Sequence, residues 1–141
     1  MKNKIRLGIL GGGGDSLIGI VHRIASSMHD SYEIIGGVFN PNFSENVKFA
    51  KEIGLSENRI YEDYEKMIEE ELKQDESERI EVVSILTPNF LHYPMAKKLL
   101  ENNWPLDLIQ VNNYNIQPLK NIDCLHMQSS GIVDNIKFIK N

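Results

Sequence analysis

The chain has 141 residues, of which 41% are hydrophobic and 25% charged, a composition typical of a folded globular protein and a length that excludes two full catalytic domains. Its net charge of -5, with Lys and Arg scattered, gives no basic surface for nucleic acid, and no apolar run reaches the roughly eighteen residues that span a bilayer. The single Cys124 lacks neighbours at metal-ligand spacing. We therefore predict a cytoplasmic chain with no metal site and with neither nucleic acid nor membrane as a partner.

Apolar runs alternate with amphipathic segments in the first half of the chain. Residues 5–10 predict a buried strand that ends in four glycines, and the apolar spacing from 17 to about 28 predicts a helix. A second strand is predicted over 32–39, before a turn at Asn40. Ser44 is the predicted cap of a helix that runs through Ile53.

The same alternation continues further along. A short helix with a solvated acidic face is predicted over 63–72, then a charged loop, a strand over 80–86 and a helix over about 91–101. Strand and helix in alternation predict a parallel sheet with right-handed crossovers. We therefore expect an α/β fold, a Rossmann-type parallel sheet flanked by helices in a single domain.

A glycine-rich loop joins the first strand to the first helix. Glycine lets the backbone turn sharply and lets a pyrophosphate approach, and the helix N-terminus attracts anions. The third position of a G-x-G-x-x-G motif is Ser16 in one register and Leu17 in the other, and a merely flexible turn is the alternative. Asp15 would repel a pyrophosphate unless its side chain points to solvent. The predicted cofactor-binding residues of this loop are Gly11, Gly12, Gly13, Gly14, Ser16, Leu17 and Ile18.

Two further candidates follow the later strands. Asn40 occupies the position where an acidic residue usually binds the ribose of NAD; it is equally a turn former, and its neutral side chain leaves both NAD and NADP open. Thr87 and Asn89 lie at the carboxyl edge of the predicted sheet, although Asn89 could instead cap the next helix. His92 could transfer protons or be structural. No specific role is predicted for Arg23 in the first helix.

Three segments resemble the Gfo/Idh/MocA group of sugar and inositol dehydrogenases. They are residues 6–14 with 18–23, residues 37–40, and the pattern Thr87, Pro88, Asn89 and His92 that follows a strand; together they cover about residues 4–103. The resemblance implies a nicotinamide cofactor, NAD or NADP, bound along residues 11–18, Asn40 and residues 87–89. It also implies that His92 lies near the nicotinamide side.

The last part of the sequence departs from that family. Residues 104–141 contain no Glu, Arg or Ala, and they lack the Glu-Lys-Pro motif whose lysine is catalytic in the family. We therefore divide the chain into an NAD(P)-binding domain over 1–103 and an atypical tail over 104–141, which could add one strand over 106–111. We assign no catalytic residue, and we expect a truncated dehydrogenase that binds cofactor without autonomous catalysis.

Two other functions stay open at this stage. One is a non-catalytic nucleotide-binding or regulatory module, and the other is the subunit of a split dehydrogenase whose substrate domain is a separate chain. Loss of a covering domain would expose apolar surface, so self-association into a homo-oligomer is also an expectation.

Overall fold

The computed structural model describes residues 4–28 and 30–104, together with the backbone of two later strands. The strands are β1 (Ile5–Gly11), β2 (Tyr32–Val38), β3 (Val82–Leu86), β4 (Leu106–Ile109) and β5 (Cys124–Met127). The helices are α1 (Leu17–Ser27), α2 (Phe43–Glu52), α3 (Tyr64–Leu72) and α4 (Asn89–Glu101), with a short 3-10 turn at Glu57–Arg59. In these described parts, no helix is both long and apolar enough to cross a membrane.

The five strands form one parallel sheet in the order β2-β1-β3-β4-β5. The chain runs outward from β1 to β2 and then crosses back to β3 on the other side of β1. This reversal lies between β1 and β3, and open parallel sheets bind ligands at such a point, beyond the carboxyl ends of the strands. The predicted α/β Rossmann-type fold is confirmed.

Each face of the sheet is covered by a separate apolar layer. One layer joins β1 to α2 and to the end of β3; its buried members are Leu7, Ile9, Phe39, Phe49, Ala50, Ile60 and Leu86. The other packs α3 and α4 against β3; it includes Met67, Ile68, Val83, Ile85, Met95, Leu99 and Trp104. Because both faces are buried, the central strands β1 and β3 are mainly apolar, which is why their sequences lack a regular polar alternation.

Helix α1 has an outward side that is rich in large apolar residues. Five large apolar residues at helical spacing are exposed there: Leu17, Ile20, Val21, Ile24 and Met28. Exposed fractions of 76% for Leu17 and 57% for Ile24 show that the inner face alone does not account for the apolar pattern of this helix. The apolar residues that predict α1 therefore lie on its outward side, whereas its inward side consists of Ile18, Gly19, His22, Arg23 and Ser26.

Several predicted boundaries and caps were wrong. Asn42, not Ser44, caps α2: its Oδ1 accepts hydrogen bonds from the backbone N–H groups of Ser44 at 3.0 Å and Glu45 at 3.3 Å. Helix α4 begins at Asn89, two residues earlier than predicted, with Pro88 in the cap position, so Asn89 is not the cap. The capping oxygen of α2 thus comes from a turn residue two positions before the predicted cap, whereas the first turn of α4 has no side-chain cap hydrogen bond.

Two later segments add to the expectations from sequence. β3 begins at Val82 rather than at residue 80, and the strand predicted over 106–111 is present as β4, whose last two predicted residues lie outside the described part. β5 was not predicted, because its residues hold neither the strand nor the helix period for long. Both β4 and β5 extend the same sheet.

The acidic face predicted for α3 is only partly solvated. Glu71 is fully buried, where its Oε1 accepts hydrogen bonds from Arg59 and from the Tyr61 hydroxyl, each at 2.5 Å. Its Oε2 accepts from the backbone N–H of Ile80 at 2.8 Å. Burial and the adjacent Glu71 carboxylate raise the pKa of Tyr61 above its ordinary value. A buried, hydrogen-bonded carboxylate thus joins α3 to the start of the β3 segment.

Candidate functional site

An open cleft of about 870 Å³ lies at the carboxyl edge of the sheet. Four segments border it: the loop between β1 and α1, the end of β2, residues 62–64 at the start of α3, and the turn between β3 and α4. Of the predicted cofactor-binding residues, the cleft is lined by Gly11, Gly12, Gly13, Ser16, Ile18, Asn40, Thr87, Pro88 and Asn89. The fold therefore brings together three motifs that are far apart in the sequence.

Gly14, Leu17 and His92 lie outside this lining. Gly14 is an exposed turn residue next to Asp15, which is itself exposed, and Leu17 is the first residue of α1 with its side chain mostly in solvent. His92 is buried beneath the β3–α4 turn. Their predicted contacts with a cofactor stay predictions.

The glycine loop and the start of α1 are packed so closely that a Cβ would lie under 3.0 Å from another atom at Gly11, Gly12, Gly13 and Gly19. A Cβ at Gly13 would lie 2.6 Å from the carbonyl oxygen of Phe39, at the end of β2. A Cβ at Gly19 would overlap the carbonyl oxygen of Gly12. Gly19 therefore allows the close approach of helix and strand that the third glycine of the dinucleotide motif allows. Sequence reasoning placed that role at Ser16 or Leu17 because the loop is longer than the motif.

The first turn of α1 directly follows the glycine loop. Ser16 is the N-cap, and its Oγ accepts a hydrogen bond from the backbone N–H of Gly19 at 3.3 Å. The first N–H groups of a helix have no partner within the helix and carry the positive end of its dipole. With Gly12 and Gly13 beside them, these groups form a backbone surface suited to a phosphate oxygen.

Arg23, in the second turn of α1, contacts the glycine loop. Its Nη1 donates a hydrogen bond to the carbonyl oxygen of Gly12 at 2.6 Å, and its guanidinium carbon lies 4.9 Å from the centre of the Phe49 ring. Burial lowers the pKa of Arg23, although a guanidinium stays charged at neutral pH. The sequence alone gave no reason to assign Arg23 this role, because both partners come from other elements.

Asn46 fixes the other wall of the cleft. This fully buried side chain accepts a hydrogen bond from the backbone N–H of Phe39 and donates one to the carbonyl oxygen of Tyr61, both at 2.8 Å. Asn40 forms a turn, since its Oδ1 accepts from the N–H of Asn42 at 2.8 Å. The turn role of Asn40 is confirmed. Asn46 holds the preceding residue, Phe39, next to Tyr61.

The β3–α4 turn is held by His92. Its Nε2 lies 2.6 Å from the carbonyl oxygen of Thr87, a geometry in which the ring N–H donates to the carbonyl. Nδ1 is buried and has no hydrogen-bond partner among the described residues. The hydroxyl of Thr87 also lies 3.5 Å from the sulfur of Met95. His92 therefore positions the residues that border the cleft.

The charged side chains of the cleft are acidic. Glu62 and Asp63 line it next to Asn40, and its described lining contains no Lys, Arg or His. Asp63 is occupied as the cap of α3, where it accepts from the N–H of Lys66 at 2.7 Å. Attraction for an anion thus comes from backbone N–H groups and the helix dipole. Within the same described part, no group of His, Cys, Asp and Glu is arranged to hold a metal ion.

A family comparison agrees with this geometry. The pattern of the Gfo/Idh/MocA group, described as an oxidoreductase family with an NAD-binding Rossmann fold, matches residues 5–110. The chain belongs to the Gfo/Idh/MocA family. The resemblance drawn from three short motifs is confirmed, and the match covers all the segments that border the cleft.

One curated protein and two solved structures illustrate how this chain is similar to other oxidoreductases. An uncharacterised oxidoreductase of Bacillus subtilis, YfiI, is 35% identical over 102 residues, which are 72% of this chain and 25% of that protein. An oxidoreductase structure from Sinorhizobium meliloti is 36% identical with a TM-score of 0.71, covering 77% of this chain and 30% of that one. An inositol dehydrogenase homologue from Azotobacter vinelandii, in complex with NAD+, is 28% identical with a TM-score of 0.73. It covers 78% of this chain and 28% of that one, so the chain spans under a third of each relative's length.

Proposed function

We propose that this chain binds a nicotinamide dinucleotide in the cleft, as the nucleotide-binding part of a dehydrogenase that acts on a CH–OH group of a sugar or inositol. The observation that supports this most is the packing of Gly13 against Phe39 at the end of β2, in a loop that follows β1 and so lies beside the strand reversal between β1 and β3. Such packing keeps side chains out of the place where a pyrophosphate lies. The substrate class is suggested by the inositol dehydrogenase homologue.

Each wall of the cleft has a distinct task in this proposal. The N-terminus of α1 and the loop at Gly12 and Gly13 bind the pyrophosphate, and the end of β2 at Asn40 meets the adenosine ribose. Residues 87–89 orient the nicotinamide half, held in place by His92. When bound, the nicotinamide supplies the hydride chemistry, and this chain's residues bind it, orient it and exclude water from one side of it.

That the chain binds cofactor without catalysing hydride transfer alone stays a prediction, as does its cytoplasmic location. A homo-oligomer or a separate substrate-domain chain is supported by the exposed apolar side of α1, which offers a surface for another body. A purely regulatory nucleotide-binding role has no observation of its own in its favour.

Titration of the purified chain with NADH, followed by nicotinamide fluorescence, tests the proposal. The informative variant is Gly13→Ala, because its methyl group would press on the Phe39 carbonyl and displace the loop. We expect saturable binding by the wild type and at least about tenfold weaker binding by the variant, a loss of roughly 1.4 kcal/mol.

The matched control is Gly54→Ala at the end of α2. Its φ of +79° makes the substitution strained, yet a Cβ there has no neighbour within 4 Å and lies outside the cleft lining. It should cost about 1–2 kcal/mol of stability and leave NADH affinity unchanged. A folded wild-type chain without saturable NADH binding would refute the proposed function.

A further inference from the structure

Glu62 lies at the ribose end of the cleft, although it is distant in sequence from Asn40. The segment that carries it runs beside β2: Ile60 pairs in parallel with Gly37, and the N–H of Tyr61 donates to the carbonyl oxygen of Gly37 at 3.2 Å. Two residues further along each segment, Glu62 comes beside Phe39. The register therefore brings Glu62 to the end of β2.

The buried side chain of Asn46 keeps this register fixed. It bonds to Phe39 on one segment and to Tyr61 on the other, so the residues that immediately precede Asn40 and Glu62 cannot separate. Both Asn40 and Glu62 line the cleft. The carboxylate of Glu62 is exposed, and no described residue forms an ion pair or a hydrogen bond with it.

A carboxylate at the ribose end of the cleft can accept hydrogen bonds from ribose hydroxyls, a role for which Asn40 is poorly suited. An acidic side chain near the end of the second strand accepts hydrogen bonds from the ribose hydroxyls of NAD and repels the 2'-phosphate of NADP. Asn40 is neutral, and its Oδ1 is already occupied by the N–H of Asn42. The neighbouring carboxylate of Asp63 caps α3. Glu62 is the carboxylate left to face the ribose.

We propose that Glu62 is the residue that selects NAD over NADP in this chain, a role that rests on the proposed dinucleotide-binding function. A 2'-phosphate carries a charge of about -2 near pH 7, and its repulsion by one carboxylate several ångströms away in water corresponds to a factor of about five to ten in affinity. No Lys or Arg of the described cleft lining offsets this repulsion.

The test compares the dissociation constants of NADH and NADPH for the full chain and its variants. We expect the wild type to bind NADH at least about fivefold more tightly than NADPH. Glu62→Gln should narrow that ratio about fivefold to tenfold, and Glu62→Lys should narrow it more than tenfold, mainly by strengthening NADPH binding. Raising the salt concentration should shrink these changes, because exposed charges are screened.

Glu65→Lys is the control, since it makes the same charge change on an exposed residue of α3 that does not line the cleft. It should leave the ratio unchanged. An unchanged ratio in both Glu62 variants, or a wild type that prefers NADPH, overturns the role of Glu62 while the proposed function stands. A folded wild type that binds neither nucleotide overturns both. Circular dichroism of each variant verifies that the fold is kept.

Discussion

Replacing Arg23 by Met should loosen the glycine loop while keeping most of the aliphatic part of the side chain. The change removes the hydrogen bond to the Gly12 carbonyl and the contact of the cation with the Phe49 ring. A hydrogen bond from a charged donor contributes about 1.5–3 kcal/mol, and a cation–π contact at a partly exposed site about 0.5–1 kcal/mol. Because Arg23 is only partly buried, we take the lower end of the first range.

The expected loss of unfolding free energy for Arg23→Met is therefore about 2–2.5 kcal/mol. For a domain of this size that corresponds to a fall in melting temperature of roughly 6–12 °C. NADH affinity should also fall, by about tenfold or more, because the loop must be reordered when the nucleotide binds. Urea denaturation measures the first effect and fluorescence titration the second.

A double-mutant cycle separates the two contacts of Arg23. Phe49→Leu removes the ring but keeps an apolar side chain, so the coupling energy between the two substitutions reports the cation–π contact and should be about 0.5–1 kcal/mol. Lys48→Met on the exposed side of α2 removes one positive charge without touching the loop and is the control. A stability loss under about 0.5 kcal/mol in Arg23→Met, with NADH binding unchanged, would refute the reasoning.

Two other predictions concern stability against pH and association. Burial raises the pKa of Tyr61, so the folded state holds this proton more tightly than the unfolded state; the stability it contributes is complete below about pH 10 and is lost as the pH rises above that value. In denaturation experiments between pH 8 and 11, the free energy of unfolding should fall above about pH 10. Tyr61→Phe should flatten that fall, and an equally steep fall in the variant would contradict the assignment. The exposed apolar side of α1 should cause concentration-dependent self-association, which sedimentation velocity detects. Ile24→Glu should abolish it, whereas a wild type that stays monomeric at high concentration would show that this side of α1 binds no second copy.

Sequence predicted best those elements whose residues share one environment, because their pattern of apolar residues is then simple. β1 is buried on both faces from Leu7 to Leu10, so the apolar run over those residues identifies it, and the glycines that follow mark its end. The three motifs that border the cleft were identified because each follows a strand, and parallel strands end at one edge of a sheet. The fold and the location of the site could thus be argued without coordinates.

The residues that sequence could not identify depend on partners distant along the chain. Glu71 belongs to an acidic run and is nevertheless buried, because Arg59, Tyr61 and the N–H of Ile80 converge on its carboxylate. Asn46 is a polar residue in an otherwise ordinary amphipathic helix, and only the pairing of two segments gives it two backbone partners. Residue type and period contain no information about such convergence.

The central position of β1 also affects the order in which the chain can fold. Its pairing with β3 joins Leu7 to Val82, so the sheet around β1 is incomplete until a distant segment has been made. At a synthesis rate of about 5–20 residues per second, the intervening residues take several seconds, during which one edge of β1 has no strand beside it. The glycine loop meets its last neighbours, Leu86 and Thr87, only after β3 has docked. The cleft is therefore among the last features to form, and a nucleotide held in it would stabilise the completed fold without speeding its earlier steps.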